Sequence, residues 1–216
     1  MERRRRTYAA AGHLGAPMNR VAASAGSSLV ELMISTMFIT VLMAMSYTFA
    51  RAAFLSVKAQ DAKSDTQELL LMATDLLTRD LRLAGFSASG QPLEAVRAAT
   101  RERVQVAADF DGDGATDDPN ELIAYSYSAE KHELMRATGG ASPQPLVPNV
   151  PPGGLQFTFF DANGSEIPGD GALATEQRRR IHRIDVVLQT ELSNTDAAGR
   201  EPPVSAVSTS ICLRNQ

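Results

Sequence analysis

Residues 29–50 form an apolar run, LVELMISTMFITVLMAMSYTFA, in which Glu31 is the only charged residue. At about 1.5 Å per helical residue, these 22 residues span roughly 33 Å, about the thickness of a bilayer's hydrocarbon core. The run therefore predicts a transmembrane helix. This prediction constrains the fold more than any other feature, because whatever else the chain forms must be attached to a membrane-spanning segment.

Positive charge is concentrated before the apolar run. Residues 1–26 contain five arginines and one glutamate, whereas Arg51 and Lys58 are the first basic residues after the run. Because the denser positive charge normally stays in the cytoplasm, we expect residues 1–26 to be cytoplasmic and the remainder to be exported. A secretory signal peptide fits less well, since the small residues AASAGSS precede the apolar run instead of following it.

The composition is that of a folded protein with an acidic body. Of 216 residues, 44% are hydrophobic and 21% are charged, which favours one globular domain with an appendage. Without residues 1–26, sixteen basic and twenty-four acidic residues remain, a net charge of −8, and this argues against a nucleic-acid coat. The single cysteine, Cys212, can form neither an intramolecular disulfide nor a zinc thiolate pair, and between Ile211 and Leu213 we expect it to be buried.

The junction between the basic leader and the apolar run has a distinctive order of residues. The stretch GSSLVELMIS, residues 26–35, resembles the cleavage and methylation motif of type IV prepilins. The resemblance implies that a prepilin peptidase cuts after Gly26 and methylates the new amino terminus at Ser27, so that the apolar helix is retained. Ser27 and Ser28 depart from the family, which usually has Phe and Thr there. A start at Met18 gives a leader of more usual length, MNRVAASAG, so Met18 is the alternative to Met1 as the start of translation.

Glu31 is costly in a membrane unless it has a partner. An ionised side chain in the bilayer costs on the order of 3 kcal/mol on insertion scales. Cleavage after Gly26 creates an α-amine at Ser27, four residues and about one helical turn from Glu31. In the family that it resembles, the equivalent carboxylate is thought to meet the amine of a neighbouring subunit during assembly. The alternative is a carboxylate that reaches the lipid headgroups from the membrane edge.

Beyond Arg51 the helical pattern continues without proline to Gly85, which is a suitable C-terminal cap. Asp75 and Arg79 are expected on the polar side of this second half. The stretch DLLTRDLRLAGF, residues 75–86, also resembles the end of the helix in PilW-type minor pilins and J-type pseudopilins. The apolar stripe predicted to pack on the rest of the protein consists of Leu69, Leu70, Ala73, Leu76, Leu77, Leu81 and Ala84.

After residue 100 the pattern changes to short strands separated by turns. About six strands are predicted, and the Pro- and Gly-rich segment 138–154 is expected to be a surface loop. The predicted fold is α+β, the type IV pilin fold, with a long N-terminal helix packed on an antiparallel β-sheet head. The predicted regions are a cleaved leader (1–26), the transmembrane and assembly half of the helix (27–51), its amphipathic half (52–85) and the β-rich head (86–216).

The acidic stretch DFDGDGATDDPNE, residues 109–121, resembles a calcium-binding loop of the EF-hand type. Its alternating aspartates occupy the first, third and fifth ligand positions. The twelfth position is Asn120, however, and Glu121 comes one residue late. An acidic turn whose aspartates bind their own backbone is the alternative. The candidate calcium ligands are Asp109, Asp111, Asp113, Ala115, Asp117 and Glu121.

Basic and catalytic residues give weaker signals. Arg178, Arg179, Arg180 and Arg183 form a run in which alternation places some on one face of a strand, but without interleaved aromatic residues a solvated strand end is favoured over a nucleic-acid surface. His132 and His182 have no companion motif for nucleophilic or metal chemistry. We therefore expect neither an enzyme nor a specific nucleic-acid partner.

The resemblance implies a minor pilin of the PilW type, made as a prepilin and assembled into the priming or tip complex of a type IV pilus. Its implied partners are prepilin peptidase, other minor pilins, the major pilin, the inner-membrane assembly platform and membrane lipid. Its expected location is the inner membrane, with a periplasmic head, and then the pilus at the cell surface. The alternatives are a J-type minor pseudopilin of type II secretion and, more remotely, a calcium-binding protein held by an uncleaved signal anchor.

The cleavage site gives a direct test. The substitution Gly26→Leu should leave the precursor uncut in the membrane, because the peptidase of the family cuts after glycine. In cells with active prepilin peptidase, mass spectrometry of the unaltered chain should find an amino terminus at Ser27. An intact leader on that chain would contradict the prediction.

Overall fold

The computed structural model describes residues 28–169, 171–192 and 203–214. The predicted leader, Gly26 and Ser27 therefore lie outside the described residues. The chain divides into two compact units, residues 1–51 and 52–216. The elements in chain order are α1 (Leu29–Arg82), β1 (Val96–Thr100), β2 (Arg103–Ala107), β3 (Leu122–Ser128), β4 (Glu133–Thr138), β5 (Gln144–Val147), β6 (Leu155–Phe160), α2 (Thr175–Arg178), β7 (Arg183–Glu191) and β8 (Val204–Cys212).

In the first unit, the apolar half of α1 has no polar face. Every residue from Ser28 to Arg51 is exposed. The threonine hydroxyls are satisfied within the helix, because Thr36 and Thr40 donate hydrogen bonds of 2.9 and 2.8 Å to carbonyls one turn earlier. Polar side chains that bond their own backbone need no water. This half of the helix is therefore suited to an apolar environment on all sides.

In the second unit, the amphipathic half of α1 packs as the sequence predicts. Leu70, Ala73, Leu77 and Leu81 are buried, and Ala84 is buried just beyond the end of the helix. They are separated by three or four residues, so they lie on one side of the helix. The stripe continues the apolar core of the second unit.

The helix ends at Arg82, three residues before the predicted glycine cap at Gly85. Gly85 has a φ of +77°, a left-handed conformation that a side chain would strain. Its backbone N–H does not return to the helix but donates a hydrogen bond of 2.8 Å to the carbonyl of Ala107, at the end of β2. The helix terminus is thereby fixed directly to the sheet.

The strands form two antiparallel sheets in the described part of the chain, with strand orders β1-β2-β3-β4-β5 and β6-β7-β8. The prediction of an α+β fold with a long N-terminal helix and antiparallel strands is confirmed. The predicted single sheet of about six strands is wrong, since the described residues form eight strands in two sheets. The two that were missed, β1 and β5, are the short edge strands of the larger sheet. β5 contains Pro145 within the predicted loop 138–154, and an edge is where a strand tolerates proline.

One apolar core joins α1 to both sheets. In strand β7, buried and half-buried side chains alternate over nine residues, so every second residue enters the core. The prediction that Cys212 is buried is wrong, since it is exposed. Its neighbour Ile211 takes the inward position, and successive side chains of a strand point to opposite faces. The largest fully buried side chains are Tyr125, Phe157, Leu70, Leu77, Leu81, Leu134, Leu155, Ile181, Ile184 and Ile211.

A buried polar network links α1 to the larger sheet. Asp80 is only 5% exposed, and its Oδ2 accepts hydrogen bonds from the Tyr125 hydroxyl at 2.7 Å and from Arg136 Nε at 3.0 Å. Burial raises the pKa of Tyr125, and the charge of Asp80 raises it further. Burial alone would lower the pKa of Arg136, but the hydrogen bond and charge of Asp80 outweigh it and raise that pKa. The network therefore holds a neutral phenol between a carboxylate and a guanidinium.

The buried stripe of α1 predicts a sharp contrast between two leucines of one helix. Leu77→Ala should lower the free energy of unfolding by about 2 to 5 kcal/mol, because it leaves a cavity in the core. Leu71→Ala should change it by less than about 0.5 kcal/mol, because Leu71 is 63% exposed. Chemical denaturation of both variants measures the difference, and equal losses would contradict the assignment of the stripe.

The network predicts a loss of stability at alkaline pH. Since the pKa of Tyr125 is higher in the folded state than in the unfolded chain, its contribution is complete below about pH 10 and declines as pH rises above that value, by up to about 1.4 kcal/mol per pH unit. Tyr125→Phe should remove this component. Denaturation curves at pH 9 and pH 11 should show a smaller decline for the variant; an identical decline would exclude the proposed linkage.

Candidate functional site

The first candidate site is the start of α1. Within residues 28–169, 171–192 and 203–214, α1 is the one helix that is long and apolar enough to cross a membrane. Glu31 lies exposed in its first turn, where the positive end of the helix dipole favours a carboxylate. The cleavage and methylation residues, Gly26 and Ser27, lie outside the described residues. Pairing of Glu31 with a Ser27 amine therefore stays a prediction.

The second candidate site is an acidic cluster between β2 and β3. Asp109 and Glu121 are buried, with 1% and 2% of their surfaces exposed, whereas Asp111 is exposed. Each residue contributes a carboxylate oxygen, and these three oxygens lie within 4.8 Å of one another. Buried carboxylates at this separation repel each other unless a positive charge lies between them.

The predicted calcium ligands therefore divide into two groups. The structure brings together Asp109, Asp111 and Glu121, and leaves the side chains of Asp113 and Asp117 outside the cluster. A role for the carbonyl of Ala115 stays a prediction. Asp113 instead accepts a hydrogen bond of 2.7 Å from the backbone N–H of Ala115. This is the local turn that the sequence offered as the alternative to an EF-hand-like loop. Glu121, which comes one residue too late for the twelfth position of an EF-hand loop, is nevertheless part of the cluster.

Three hydrogen bonds from two segments orient Asp109. Its Oδ1 accepts the backbone N–H of Gly112 at 2.7 Å, and its Oδ2 accepts the hydroxyls of Ser87 and Ser89 at 3.2 Å each. The two serines follow the end of α1, about twenty residues before Asp109. Sequence reasoning missed them, because no local pattern relates a pair of serines to an acidic loop that far away.

Glu121 is held by only one of its two oxygens. Its Oε1 accepts the backbone N–H of Phe110 at 2.7 Å. Its Oε2 is buried and has no hydrogen-bond partner among the described residues. A buried oxygen without a partner is uncommon in folded proteins and calls for an explanation such as a bound ion.

The surroundings of the cluster are also acidic. Partial desolvation, together with the negative charges of Asp111 and Glu121, raises the pKa of Asp118 above its usual value. In the part of the chain that the structure describes, no ion pair involves any of the three cluster carboxylates. Arg136 lines the same cleft as Glu121, but its guanidinium pairs with Asp80 at 2.9 Å.

The arginine run does not form one face of a strand. Arg178 lies in α2 and pairs with Glu94 at 2.9 Å, and its side chain also donates hydrogen bonds to the carbonyls of Val96 and Leu173. Only Arg183 lies in β7, with its guanidinium 4.0 Å from the ring centroid of Phe160. These arginines are occupied by contacts within the head, which sequence spacing did not indicate.

The two described histidines lie apart from the acidic cluster. His132 lies in a turn, as predicted, with a φ of +54°. Its Nδ1 is 3.1 Å from the hydroxyl of Tyr127. His182 Nδ1 lies 3.2 Å from the carbonyl of Arg180. Both rings therefore have local partners that account for their positions.

Comparisons with known proteins find similarity to solved structures. No protein-family profile matches the chain, and no curated protein sequence matches it. Among solved structures, the chain is similar to a type IV-like pilin from Thermus thermophilus, with 12% sequence identity and a TM-score of 0.41. The match covers 69% of this chain and 95% of that one. A similarity of this degree assigns the chain to no family, so its function is inferred from its own residues.

Proposed function

We propose that this chain is a structural component of a type IV pilus: a minor pilin that is made as a prepilin, cut after Gly26 and incorporated into the priming or tip complex. The observation that carries the proposal is the position of Glu31. It is the only charge in residues 29–50, it lies in the first turn of α1, and it follows Gly26 by five residues.

The exposed apolar half of α1 supports an assembly role. Large apolar side chains such as Leu32, Phe38 and Met43 are more than half exposed. Apolar surface of this extent needs lipid or protein to cover it. A pilin helix has both in turn, since it lies in the membrane before assembly and among the helices of other pilins afterwards.

The charge on Glu31 would favour movement of the subunit from the membrane into the filament. In lipid, the carboxylate and the α-amine at Ser27 would each be costly alone, and pairing them between neighbouring subunits removes both costs. The amine exists only after the leader has been removed. Cleavage would therefore create the partner that Glu31 requires, and uncut precursor would not assemble.

The contacts of α1 with the head support a structural role for the helix. Leu77 and Leu81 are buried in the core, Asp80 pairs with Arg136 of β4, and Gly85 is bonded to the end of β2. These apolar, ionic and backbone contacts hold the amphipathic half of α1 firmly in the second unit.

The same arrangement would serve a J-type minor pseudopilin of a type II secretion system. The residues that carry the proposal do not separate the two. The neighbouring genes would do so: pilus assembly genes support the pilin, and secretion genes support the pseudopilin.

The central experiment substitutes Glu31 in the native host. Glu31→Gln should be cut and inserted normally, but its share in sheared surface filaments should fall about tenfold or more, because a lost interaction of about 1.4 kcal/mol already gives a factor of ten. Glu31→Asp, which retains the charge, should assemble better than Glu31→Gln. The measurement compares the filament and membrane fractions by immunoblot.

Thr40→Ala is the matched control. Thr40 lies in the same apolar helix, and its hydroxyl bonds only the carbonyl of Met37. It should be incorporated at the normal level. Normal incorporation of Glu31→Gln would overturn the charge-pair proposal, as would failure of Thr40→Ala to the same degree, since any polar change in the helix would then suffice.

A further inference from the structure

We infer that Asp109, Asp111 and Glu121 bind a divalent cation of the calcium class. The inference begins from the two buried carboxylates, Asp109 and Glu121, which lie within 4.8 Å of each other and of Asp111. Two negative charges withdrawn from water at this distance strongly destabilise a fold unless they are neutralised. A divalent cation would neutralise both.

The orphaned oxygen of Glu121 is the second, independent observation. Oε1 is occupied by the backbone N–H of Phe110, which fixes the direction of the side chain. Oε2 is buried and has no hydrogen-bond partner among the described residues. Buried polar atoms nearly always have a partner. Carboxylate oxygens of Asp109 and Asp111 lie within 4.8 Å of one from Glu121, and a divalent cation between them would supply that partner.

The backbone holds this arrangement independently of the side chains. The N–H of Ala108 donates a 2.8 Å hydrogen bond to the carbonyl of Glu121, and the N–H of Asp109 donates one of the same length to the carbonyl of Phe86. Asp109 and Glu121 are therefore brought together from the ends of β2 and β3. Ser87 and Ser89 orient the carboxylate of Asp109, as partners of a metal-binding side chain commonly do.

The donor set selects the ion. All three side chains offer carboxylate oxygen and none offers nitrogen or sulfur, which favours hard cations over zinc or copper. Calcium fits better than magnesium, because calcium accepts irregular oxygen arrangements, whereas magnesium requires a near-ideal octahedron. The exposed position of Asp111 leaves one side open to water, which can complete the coordination.

The loop that carries Asp111 passes close to the backbone of Ser89 at Gly112. Gly112 has a φ of +80°, and a Cβ there would lie 3.3 Å from the backbone nitrogen of Ser89. Glycine therefore lets the acidic loop lie against the segment that follows α1. A cation at the cluster would hold the end of the helix, the loop and β3 together.

The test uses the full chain, purified in detergent and stripped of metal with a chelator. Calcium added up to about 10 mM, above the roughly 10⁻⁴ to 10⁻³ M dissociation constants of extracellular calcium modules, should give saturable heat in calorimetry and raise the melting temperature. Magnesium should bind at least about tenfold more weakly. The absence of both heat and thermal shift would overturn the inference.

Two variants address the ligands. Asp111→Asn should weaken calcium binding about tenfold or more, and because Asp111 is exposed it should leave the fold intact. Glu121→Gln should weaken it similarly. Without calcium, Glu121→Gln should melt no lower than the unaltered chain, since its amide oxygen can still accept the N–H of Phe110 and an uncompensated buried charge is removed.

Asp113→Asn and Asp117→Asn are matched controls. Each makes the same charge change in the same loop, but neither residue belongs to the cluster. Both variants should bind calcium within about twofold of the unaltered chain, because exposed charges contribute little to the binding energy. If they weaken binding as much as Asp111→Asn does, the ion is attracted by the general charge of the loop or by an EF-hand-like arrangement, and the assigned ligand set is wrong.

Discussion

The structure of the second unit depends on one side of α1. Leu70, Ala73, Leu77 and Leu81 enter the core that both sheets share, and burial of apolar surface is the main stabilising contribution in such a unit. Asp80 lies on the same side and binds Arg136 and Tyr125 of the larger sheet. Apolar burial thus supplies most of the stability, while the ionic network requires a particular alignment of helix and sheet.

The same helix has two different environments along its length. Its first half is exposed and apolar on every side, and its second half is buried along one stripe. A helix of this kind connects a segment that needs lipid or partner helices to a head that folds around its other end. The proposed pilin role uses both properties, with Glu31 setting when the first half leaves the membrane and the buried stripe holding the head to it.

The acidic cluster lies where the end of α1 meets the larger sheet. Ser87, Ser89 and Gly85 follow the helix and contact Asp109 or the end of β2, so a cation at Asp109 and Glu121 would reinforce the junction. Stability of this junction would then depend on the ion concentration around the head. An ion that binds only the folded state stabilises it in proportion to the logarithm of the ion concentration, so calcium bound at the cluster would make the head more stable as the calcium concentration rises.

Local spacing and backbone preference were enough to predict the apolar run, the buried stripe of α1, the end of the helix near Gly85 and six of the strands. The sequence also indicated the acidic loop, but not which residues meet in it. Only the tertiary structure placed Glu121 beside Asp109 and Asp111, added the edge strands β1 and β5, divided the strands into two sheets, turned Cys212 outward and paired Asp80 with Arg136. These features depend on contacts between residues far apart in the chain, and local periodicity contains no information about which distant segments will meet.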